Sequence, residues 1–501
     1  MAQIVVIGAG MGGLAAAARL ATVGHRVTVC EAGPTHGGMV GQYQRDGFRF
    51  DTGPTLLTLP AVYRDLMLKT GRTRLEDEVE LRPVDPGSLH LLPDGSRFAL
   101  ANASLAKVVQ ALDEALGAGA GTRWSELLER GRGVWEATRR PLLEEPLPDD
   151  PTPLHHDPYL PARRRRLLGR PVATLDDVAA RELRDPRLTA LLDEYALRFG
   201  LDPRRAPASL TALPYMEQSF GVWYVTGGIR ALADAVLRRC EQRRVTLRFD
   251  TRVTRVLGAE RVEGVLLADG SRLDAEVVIA GTDPRAFAAE APLTAPLTAP
   301  LTAPLTRPSP DDGPGRLTVL LALRGGRPAD APHRTVVHAA DRRDELDTLF
   351  PAAPGPARLC AEPTVQLLRP DDATLAPAGH EAALLTATVP SQARYDWTVP
   401  GRADACADAL LARAVRAAPE LRDRVLWREV RTPADTERET GAPGGAVPGP
   451  ALAGAGGSYL RTANRSPLPG LYLVGGSAHP GGGLARVGMS AAVTAELVGT
   501  P

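Results

Sequence analysis

The first 31 residues change from one apolar pattern to another. A run of β-branched residues, Ile4 to Ile7, ends in glycines and continues as a stretch rich in Ala and Leu up to Ala21. The first pattern favours a buried strand and the second a helix, so together they predict a strand, a tight turn and a helix. Residues 26–30 repeat the strand pattern. The start of the chain therefore predicts a strand–helix–strand unit, which is typical of α/β proteins.

The remainder of the chain adds helices first and strands afterwards. Apolar residues at helical spacing predict helices over residues 100–118, 124–140, 174–198 and 229–243. Strand-like runs follow at residues 245–249, 252–257, 262–267 and 275–280, and later at 317–323, 359–367 and 383–389, before a helix over 403–417. We therefore predict an α/β fold, α+β overall, in which the chain leaves a first sheet for a helical region, returns to it, and then builds a second sheet.

Three glycines stand at the first predicted turn. Gly8, Gly10 and Gly13 have the spacing GxGxxG, which allows a sharp turn, approach of a pyrophosphate to the backbone, and close packing of the helix on the strand. The helix N-terminus that follows attracts phosphate groups. Glu31 ends the second strand, where a carboxylate accepts hydrogen bonds from a ribose. The pattern predicts a dinucleotide site, and it suits FAD and NAD alike because both carry the same adenosine ribose.

Composition excludes several function classes. Lys+Arg and Asp+Glu each number 59 among 501 residues, so the formal net charge is zero and no overall field attracts nucleic acid. The four cysteines are widely spaced and form no metal or redox motif, which favours a reducing compartment. The sequence shows neither a basic leader nor an apolar stretch long enough to cross a bilayer. We expect a cytoplasmic protein without a metal site, either soluble or peripheral to a membrane.

Two segments have biased composition. Residues 291–306 repeat Pro-Leu-Thr-Ala, and a proline in each unit excludes a helix or an interior strand, so we interpret this segment as a linker. Residues 141–171 are rich in proline and include four consecutive arginines, Arg163 to Arg166. Such a charge run usually marks a solvated face, and the alternative is contact with an anionic membrane surface.

Several motifs in a fixed order carry a resemblance to a known family. Besides GxGxxG and Glu31, they are residues 47–55, 220–224 with glycines 227 and 228, 395–397, 432–435, and 471–475 with 479–483. Together they resemble the bacterial and fungal type of phytoene desaturase, the FAD-dependent carotenoid desaturases. The resemblance implies a Rossmann-like FAD-binding domain of the glutathione-reductase/amine-oxidase type.

The resemblance also implies a division of the chain. The FAD-binding domain would be discontinuous and consist of residues 1–99, 221–290 and 450–501. Residues 100–220 would form a helical substrate or lid region, and residues 307–449 a substrate-binding domain that contains the second sheet.

FAD is the cofactor that the resemblance implies. Its adenosine would lie at Glu31 and near Val253, its pyrophosphate over the first glycine turn, and its isoalloxazine ring between the Gly53–Pro54 turn and the loop from His479 to Gly483. The implied cofactor-binding residues are Gly8, Gly10, Gly13, Glu31, Gly38, Gly53, Pro54, Val253, Gly475, His479, Gly482 and Gly483.

Two residues depart from the family's pattern. Met39 stands where the family usually has the arginine of a Gly-Gly-Arg motif, so a cation often found beside the flavin or the phosphates is missing from this position. Arg486 stands where the family usually has an apolar residue after the glycines, which bears on the substrate more than on the cofactor.

Desaturation removes a hydride and a proton from adjacent carbons, and a redox cofactor must take the hydride. The cation left beside a polyene is delocalised by the substrate, so a strong base is not required. Candidates for an acid/base or orienting role are Glu217 and Arg486, and for Glu217 a surface or capping carboxylate is the alternative. Trp223 and Tyr224 are candidates for lining an apolar substrate tunnel, with core packing as the alternative.

We therefore expect an FAD-dependent oxidoreductase that desaturates an apolar polyene or isoprenoid, which a membrane surface could deliver, and no nucleic-acid partner. The alternative is a related flavoenzyme that tailors a polyketide or tetramate natural product by redox chemistry or cyclisation. Met39, Arg486 and an aromatic content of only 4% favour that alternative. A flavin-binding protein without enzymatic activity is a third option.

Overall fold

A computed structural model describes residues 1–160, 173–283, 313–352, 355 and 357–501. The linker at 291–306 and the arginine run at 163–166 lie outside these ranges. The strands are β1 (Gln3–Ile7), β2 (Arg26–Cys30), β3 (Gln42–Arg45), β4 (Phe48–Asp51), β5 (Leu57–Thr58), β6 (Leu81–Pro83), β7 (Ser88–Leu91), β8 (Arg97–Leu100), β9 (Val222–Val225), β10 (Thr246–Arg248), β11 (Val253–Leu257), β12 (Gly264–Leu267), β13 (Arg272–Asp274), β14 (Val277–Ala280), β15 (Gly315–Arg324), β16 (Arg334–Val337), β17 (Val365–Leu368), β18 (His380–Val389), β19 (Val425–Arg431) and β20 (Leu471–Leu473). The α-helices are α1 (Met11–Thr22), α2 (Ala61–Gly71), α3 (Leu105–Leu116), α4 (Ala120–Arg139), α5 (Leu175–Val178), α6 (Pro186–Leu197), α7 (Ala212–Phe220), α8 (Arg230–Gln242), α9 (Arg342–Leu349), α10 (Arg402–Ala414), α11 (Leu421–Arg424), α12 (Pro433–Thr440) and α13 (Leu484–Val498).

The first sheet is parallel, in the order β10-β2-β1-β14-β20. Its strands are apolar on both faces because both faces are covered. Ile4 and Val6 of β1 pack toward α1, which also contacts α8 and the C-terminal helix α13. Val5 and Ile7 point to the opposite face, which is covered by the antiparallel sheet β11-β12-β13. Strands from both ends of the chain thus complete one sheet, which confirms the predicted α/β fold.

The second sheet has the order β19-β15-β18-β17-β16-β7-β8, and it is antiparallel except for the pair β16 and β7. One face packs on α10, where Leu317 and Leu321 of β15 share an apolar cluster with Leu410 of the helix. The other face of β15 packs through Leu320 against Phe48 of β4, nearer the first sheet. The predicted second sheet is therefore present, and it lies close to the elements that follow β2.

Two strands of the second sheet come from an unexpected part of the chain. β7 and β8 lie within residues 1–99, which we assigned to the FAD-binding domain, yet β7 pairs with β16 of the second sheet. A boundary at residue 99 is therefore too late, because the second sheet already begins at Ser88. The strand predicted at 359–367 also begins only at Val365, after Pro363, which lacks the N–H that a ladder needs.

The helical region contains α3 to α7 and joins the first sheet in one apolar core, with Trp124 and Tyr195 fully buried. The helix predicted over 174–198 is interrupted at Asp185, which caps α6 by accepting a hydrogen bond from the Arg187 N–H. Among the described residues, no helix is both long and apolar enough to cross a membrane.

Candidate functional site

The turn between β1 and α1 is shaped by close packing of main chain. A Cβ atom at Gly13 would clash with the carbonyl oxygen of Gly8, so only glycine allows the helix to begin this close to the strand. Gly10 is the N-cap of α1 and provides no side-chain cap, and a Cβ atom there would meet nothing within 4 Å. Gly10, Met11 and Gly12 line a cavity, so the first turn of α1, whose N–H groups have no partner within the helix, borders open space that suits a phosphate group.

Glu31 lies beside this turn, directly after β2. Its Oε2 accepts a hydrogen bond from the Ala9 N–H at 2.7 Å and its Oε1 accepts one from the Gly33 N–H at 2.8 Å. Each carboxylate oxygen can accept a further hydrogen bond. Glu31 and Val253 line the same cavity. The backbone thus orients the carboxylate toward a place where ribose hydroxyls can reach it.

The loop after Glu31 is held by an arginine that the sequence did not single out. Arg230, at the start of α8, donates hydrogen bonds to the carbonyl oxygen of His36 at 2.7 Å and to Thr35 Oγ1 at 2.8 Å, and it forms an ion pair with Asp234 at 3.0 Å. The sequence suggested that a cation is missing because Met39 replaces an arginine. The fold places the guanidinium group of Arg230 at the same loop from a distant helix, and Asp234 balances its charge.

The turn at Gly53 and Pro54 packs directly against this loop. A Cβ atom at Gly53 would clash with the carbonyl oxygen of Met39, so a larger residue would push the two segments apart. Gly53 and Pro54 form one side of the cavity, and Gly475 and Gly483 form another part of its wall. The resemblance expects a flat ring between such segments, and the geometry leaves open space there.

One cavity of about 2980 Å³ connects the glycine turn with the second sheet. Ligand sites commonly measure roughly 300–1,000 Å³, so this cavity has room for a dinucleotide and a second molecule. The sequence-predicted residues that line it are Gly8, Gly10, Glu31, Gly38, Gly53, Pro54, Val253, Gly475, Gly483 and Glu217.

His479 and Gly482 lie behind the cavity wall. His479 is fully buried, and its Nε2 lies 3.1 Å from the carbonyl oxygen of Glu145, so Nε2 is the donor nitrogen of a neutral ring. Burial lowers the pKa of His479 to about 4. Gly482 donates its N–H to the carbonyl oxygen of Gly449 at 2.9 Å. Neither residue is part of the cavity lining, and their hydrogen bonds hold the loop in place.

Trp223 and Tyr224 also lie outside the lining. Both belong to β9, which pairs with β5 and β6. The indole N–H of Trp223 donates to the carbonyl oxygen of Phe220 at 3.1 Å, and the hydroxyl group of Tyr224 donates to Asp372 at 2.8 Å. The structure therefore does not bring these two aromatic side chains to the cavity, and packing is the role that their contacts support.

Glu217 reaches the cavity, but its carboxylate is already engaged. Arg198 donates to it at 2.6 Å, Tyr195 at 3.3 Å and Arg334 at 3.4 Å. Burial raises the pKa of Glu217, but the charges of Arg198 and Arg334 outweigh this effect and hold the pKa below its ordinary value. Glu217 is therefore neither a surface nor a capping carboxylate. It is a charged member of the wall and a poor proton acceptor.

Arg486, on α13, lies beside a small separate pocket. Its guanidinium group is 5.9 Å from the ring centre of Phe199 and 3.9 Å from Met216 Sδ, and no carboxylate of the described residues forms an ion pair with it. Burial lowers its pKa to about 10, so it keeps its charge at neutral pH. Phe199 lines the large cavity, whereas Arg486 itself does not.

Polar residues of the second sheet form a part of the wall that the sequence analysis missed. Thr318 pairs across the sheet with Thr386, and Thr386 pairs with Gln366, so the three side chains form a row on one face. Arg316, two residues before Thr318, lies on the same face. The feature of the sequence that could have revealed this row is the presence of polar residues at alternate positions within otherwise apolar strands. All four residues line the cavity.

Comparisons with known proteins identify the family of the chain. The family described as flavin containing amine oxidoreductase matches residues 11–320. A hydroxyneurosporene desaturase from Rhodobacter capsulatus is 31% identical, over 96% of this chain and 94% of that protein. A 4,4'-diapolycopene oxygenase from Methylomonas sp is 28% identical, over 99% of this chain and 98% of that protein.

Solved structures agree on the fold. An oxidoreductase from Methanosarcina mazei has a TM-score of 0.61 at 17% identity and covers 99% of this chain and 100% of its own. Cyclohexylamine oxidase from Brevibacterium oxydans has a TM-score of 0.59 at 16% identity, with 99% of both chains covered. With a full-length relative above 30% identity and a family match over more than half of its length, the chain belongs to the flavin-containing amine oxidoreductases, in the group of the carotenoid desaturases.

Proposed function

We propose that this protein binds FAD non-covalently and uses it to oxidise adjacent carbons of an apolar polyene or isoprenoid. The observation that carries the proposal is the single cavity that joins the glycine turn to the second sheet. Relatives named as hydroxyneurosporene desaturase and 4,4'-diapolycopene oxygenase, which match nearly the whole chain, support a polyene substrate. They favour it over the tailoring of a polyketide or tetramate.

The residues present suit FAD. Gly10 and the N-terminus of α1 would hold the pyrophosphate, and Glu31 with Val253 would hold the adenosine. The space beside Gly53 and the Gly483 loop would take the ring. When bound, FAD supplies an acceptor for the hydride.

The chain's own residues orient the substrate and exclude water. Glu217 is charged and tied to two arginines, so the proposal does not use it as a base. A proton that leaves a delocalised cation needs only a weak acceptor. Trp223 and Tyr224 have no part in the proposed site.

The division into domains stays part of the proposal. Residues 1–87, 221–290 and 450–501 would bind FAD, where the first boundary now precedes β7. The helical region 100–220 and residues 307–449 would enclose the substrate together with β7 and β8. Strands of one sheet that the chain leaves and later rejoins support this division.

Delivery of the substrate from a membrane surface is a further part of the proposal. A polyene hydrocarbon partitions into lipid, so a protein that takes it up must meet the lipid surface. The arginines at 163–166 are the sequence's candidate contact. Vesicles that contain anionic lipid should raise turnover, and salt should weaken this effect. Equal turnover with neutral and anionic vesicles at every salt concentration would contradict the membrane contact.

The cofactor is tested first on the purified protein. Heating should release a flavin that co-elutes with FAD in chromatography and that a phosphodiesterase converts to FMN. Gly10→Val should abolish binding, because its side chain would occupy the open space at the N-terminus of α1. Gly133→Val is the matched control, since Gly133 is exposed on α4 and a Cβ atom there also meets nothing within 4 Å. Release of FMN alone, or full binding by Gly10→Val, would overturn the assignment.

The reaction is tested with hydroxyneurosporene and phytoene as probes. Each new double bond extends the conjugation, so the absorption maximum should move to longer wavelength in step with flavin reduction under anaerobic conditions. A protein that binds FAD but leaves the flavin oxidised with both polyenes would contradict the proposed reaction.

A further inference from the structure

Two arginines and two glutamates at the second-sheet end of the cavity balance one another. Glu194 accepts from Arg334 at 2.7 Å and pairs with Arg198 at 3.3 Å. Glu217 pairs with Arg198 at 2.6 Å and with Arg334 at 3.4 Å. Each carboxylate therefore meets both guanidinium groups. These four residues, the buried quartet, carry no net charge.

Arg316 stands next to the buried quartet and is not balanced by it. Its Nη2 donates to the carbonyl oxygen of Arg198 at 2.7 Å. Among the described residues, no carboxylate lies within ion-pair distance of its guanidinium group. Burial, together with the positive charges of Arg198 and Arg334, lowers the pKa of Arg316 to about 10, so it remains charged at neutral pH. A partly buried cation without a counterion is unfavourable, and an anion that enters the cavity would relieve this cost.

The side chains next to Arg316 suit the same kind of ligand. Thr318 lies two residues along β15 and therefore on the same face, and Thr386 continues the row across the sheet. Gln366 follows Thr386, but its Nε2 donates to Glu194 at 2.7 Å and is therefore already engaged by the buried quartet. All of them line the cavity together with Arg316. A hydrocarbon end placed here would cover the hydroxyl groups without offering them a hydrogen bond. A group with oxygen acceptors would satisfy both the hydroxyl groups and the guanidinium group.

We propose that Arg316, Thr318 and Thr386 form a carboxylate subsite, so that the substrate is a polyene with an acidic end group. A planar guanidinium group matches a carboxylate with two parallel hydrogen bonds, which a neutral end group cannot use. The proposal rests on the proposed function in taking a polyene as the substrate. It adds that one end of that polyene is anionic and lies against the second sheet.

Binding of two probes that differ only at one end tests the subsite. Retinoate and retinol share the same polyene and end in a carboxylate and a hydroxyl group, respectively. We expect the flavin-loaded protein to bind retinoate at least about tenfold more tightly, as charge-assisted hydrogen bonds in a desolvated site imply. Arg316→Gln should remove this preference by weakening retinoate about tenfold or more while leaving retinol unchanged. Binding is measured by calorimetry or by quenching of tryptophan fluorescence.

Two further variants keep the test decisive. Arg316→Lys retains the charge but not the paired hydrogen bonds, so it should keep part of the preference for retinoate. Arg343→Gln is the matched control, because the side chain of Arg343 is 89% exposed, and it should behave as the wild type. Flavin absorbance and the thermal midpoint show that each variant is folded. Equal affinity of the wild type for both probes, or a preference that survives Arg316→Gln, would overturn the subsite.

Failure of the carboxylate subsite can be told apart from failure of the proposed reaction. If retinoate binds through Arg316 but no polyene reduces the flavin, the reaction is wrong and the subsite stands. If neutral polyenes are oxidised with a KM that Arg316→Gln does not change, and retinoate has no advantage, the subsite is wrong and the reaction stands.

Discussion

The two ends of the cavity are built by different means. At the end beside the first sheet, the wall is mainly backbone: the turn from Gly8 to Gly13, the uncapped start of α1 and the turn at Gly53. At the end beside the second sheet, the wall is made of charged and hydroxyl side chains, foremost Arg316 and three members of the buried quartet, Arg198, Glu217 and Arg334. A backbone wall suits a cofactor of fixed shape, whereas a side-chain wall can be altered to select a substrate.

The difference predicts how each end fails. A backbone wall is lost when one added atom separates two segments, even though no charge changes. A charged wall is lost when one partner of a balanced set is removed, because the remaining charges stay buried. Substitutions at the two ends should therefore differ in both size and kind of effect.

The largest effect is expected from Arg334→Met. The side chain of Arg334 is 3% exposed and contacts both carboxylates of the buried quartet. Its removal leaves Glu194 and Glu217 with Arg198 as their arginine partner, which should lower the free energy of unfolding by about 3–5 kcal/mol. Urea unfolding followed by circular dichroism measures this change. Arg343→Met, at an exposed position, should change the value by less than about 0.5 kcal/mol. If Arg334→Met resembles this control, the quartet does not act as a unit.

A smaller effect, of another kind, is expected at the glycine turn. Gly13→Ala should destabilise the flavin-free protein by about 1–3 kcal/mol, because its methyl group would clash with the carbonyl oxygen of Gly8. Gly10→Ala adds the same methyl group in open space and should leave that stability within about 0.5 kcal/mol. It should instead weaken FAD binding, since the methyl group points to where the pyrophosphate would lie. Equal destabilisation by both variants would show that the turn has no position reserved for a ligand.

The same contrast explains what the sequence could predict. The first end depends on neighbours in the chain: β1, its glycines, α1 and β2 follow one another directly, so a local pattern was enough. β2 was predicted with its observed bounds, Arg26–Cys30. β20, which closes the sheet from the other end of the chain, lies in the motif at 471–475 that carried the resemblance.

The second end depends on residues that meet only after folding. Glu194, Glu217 and Arg334 come from α6, α7 and β16, and nothing in the helical or strand patterns connects these three elements. Ser88 to Leu91 was missed as part of the second sheet because its partner, β16, lies more than 240 residues later. Trp223 and Tyr224 were candidates for a tunnel with core packing as the alternative, and the strand pattern alone does not tell which side of a strand meets a cavity.

The smallest effect is expected at His479, which supports the backbone wall from behind. The pKa of this buried ring is about 4, against an ordinary value of 6.5. The unfolded chain therefore binds a proton between these values while the folded chain does not. Stability must then fall as the pH falls below about 6.5, and the loss is complete near pH 4.

His479→Gln separates this titration from the packing. The glutamine amide can still donate to the carbonyl oxygen of Glu145, which Nε2 of His479 approaches at 3.1 Å, but it does not titrate. Between about pH 7.5 and 5.5 the wild type should lose about 1 kcal/mol more stability than the variant, as one histidine with this shift implies. His156→Gln makes the same chemical change at an exposed position and serves as the control. Urea unfolding at a series of pH values measures the difference. Parallel curves for the wild type and His479→Gln would mean that the ring binds its proton in the folded protein as readily as in the unfolded chain, and that the wall behind the cofactor is open to water.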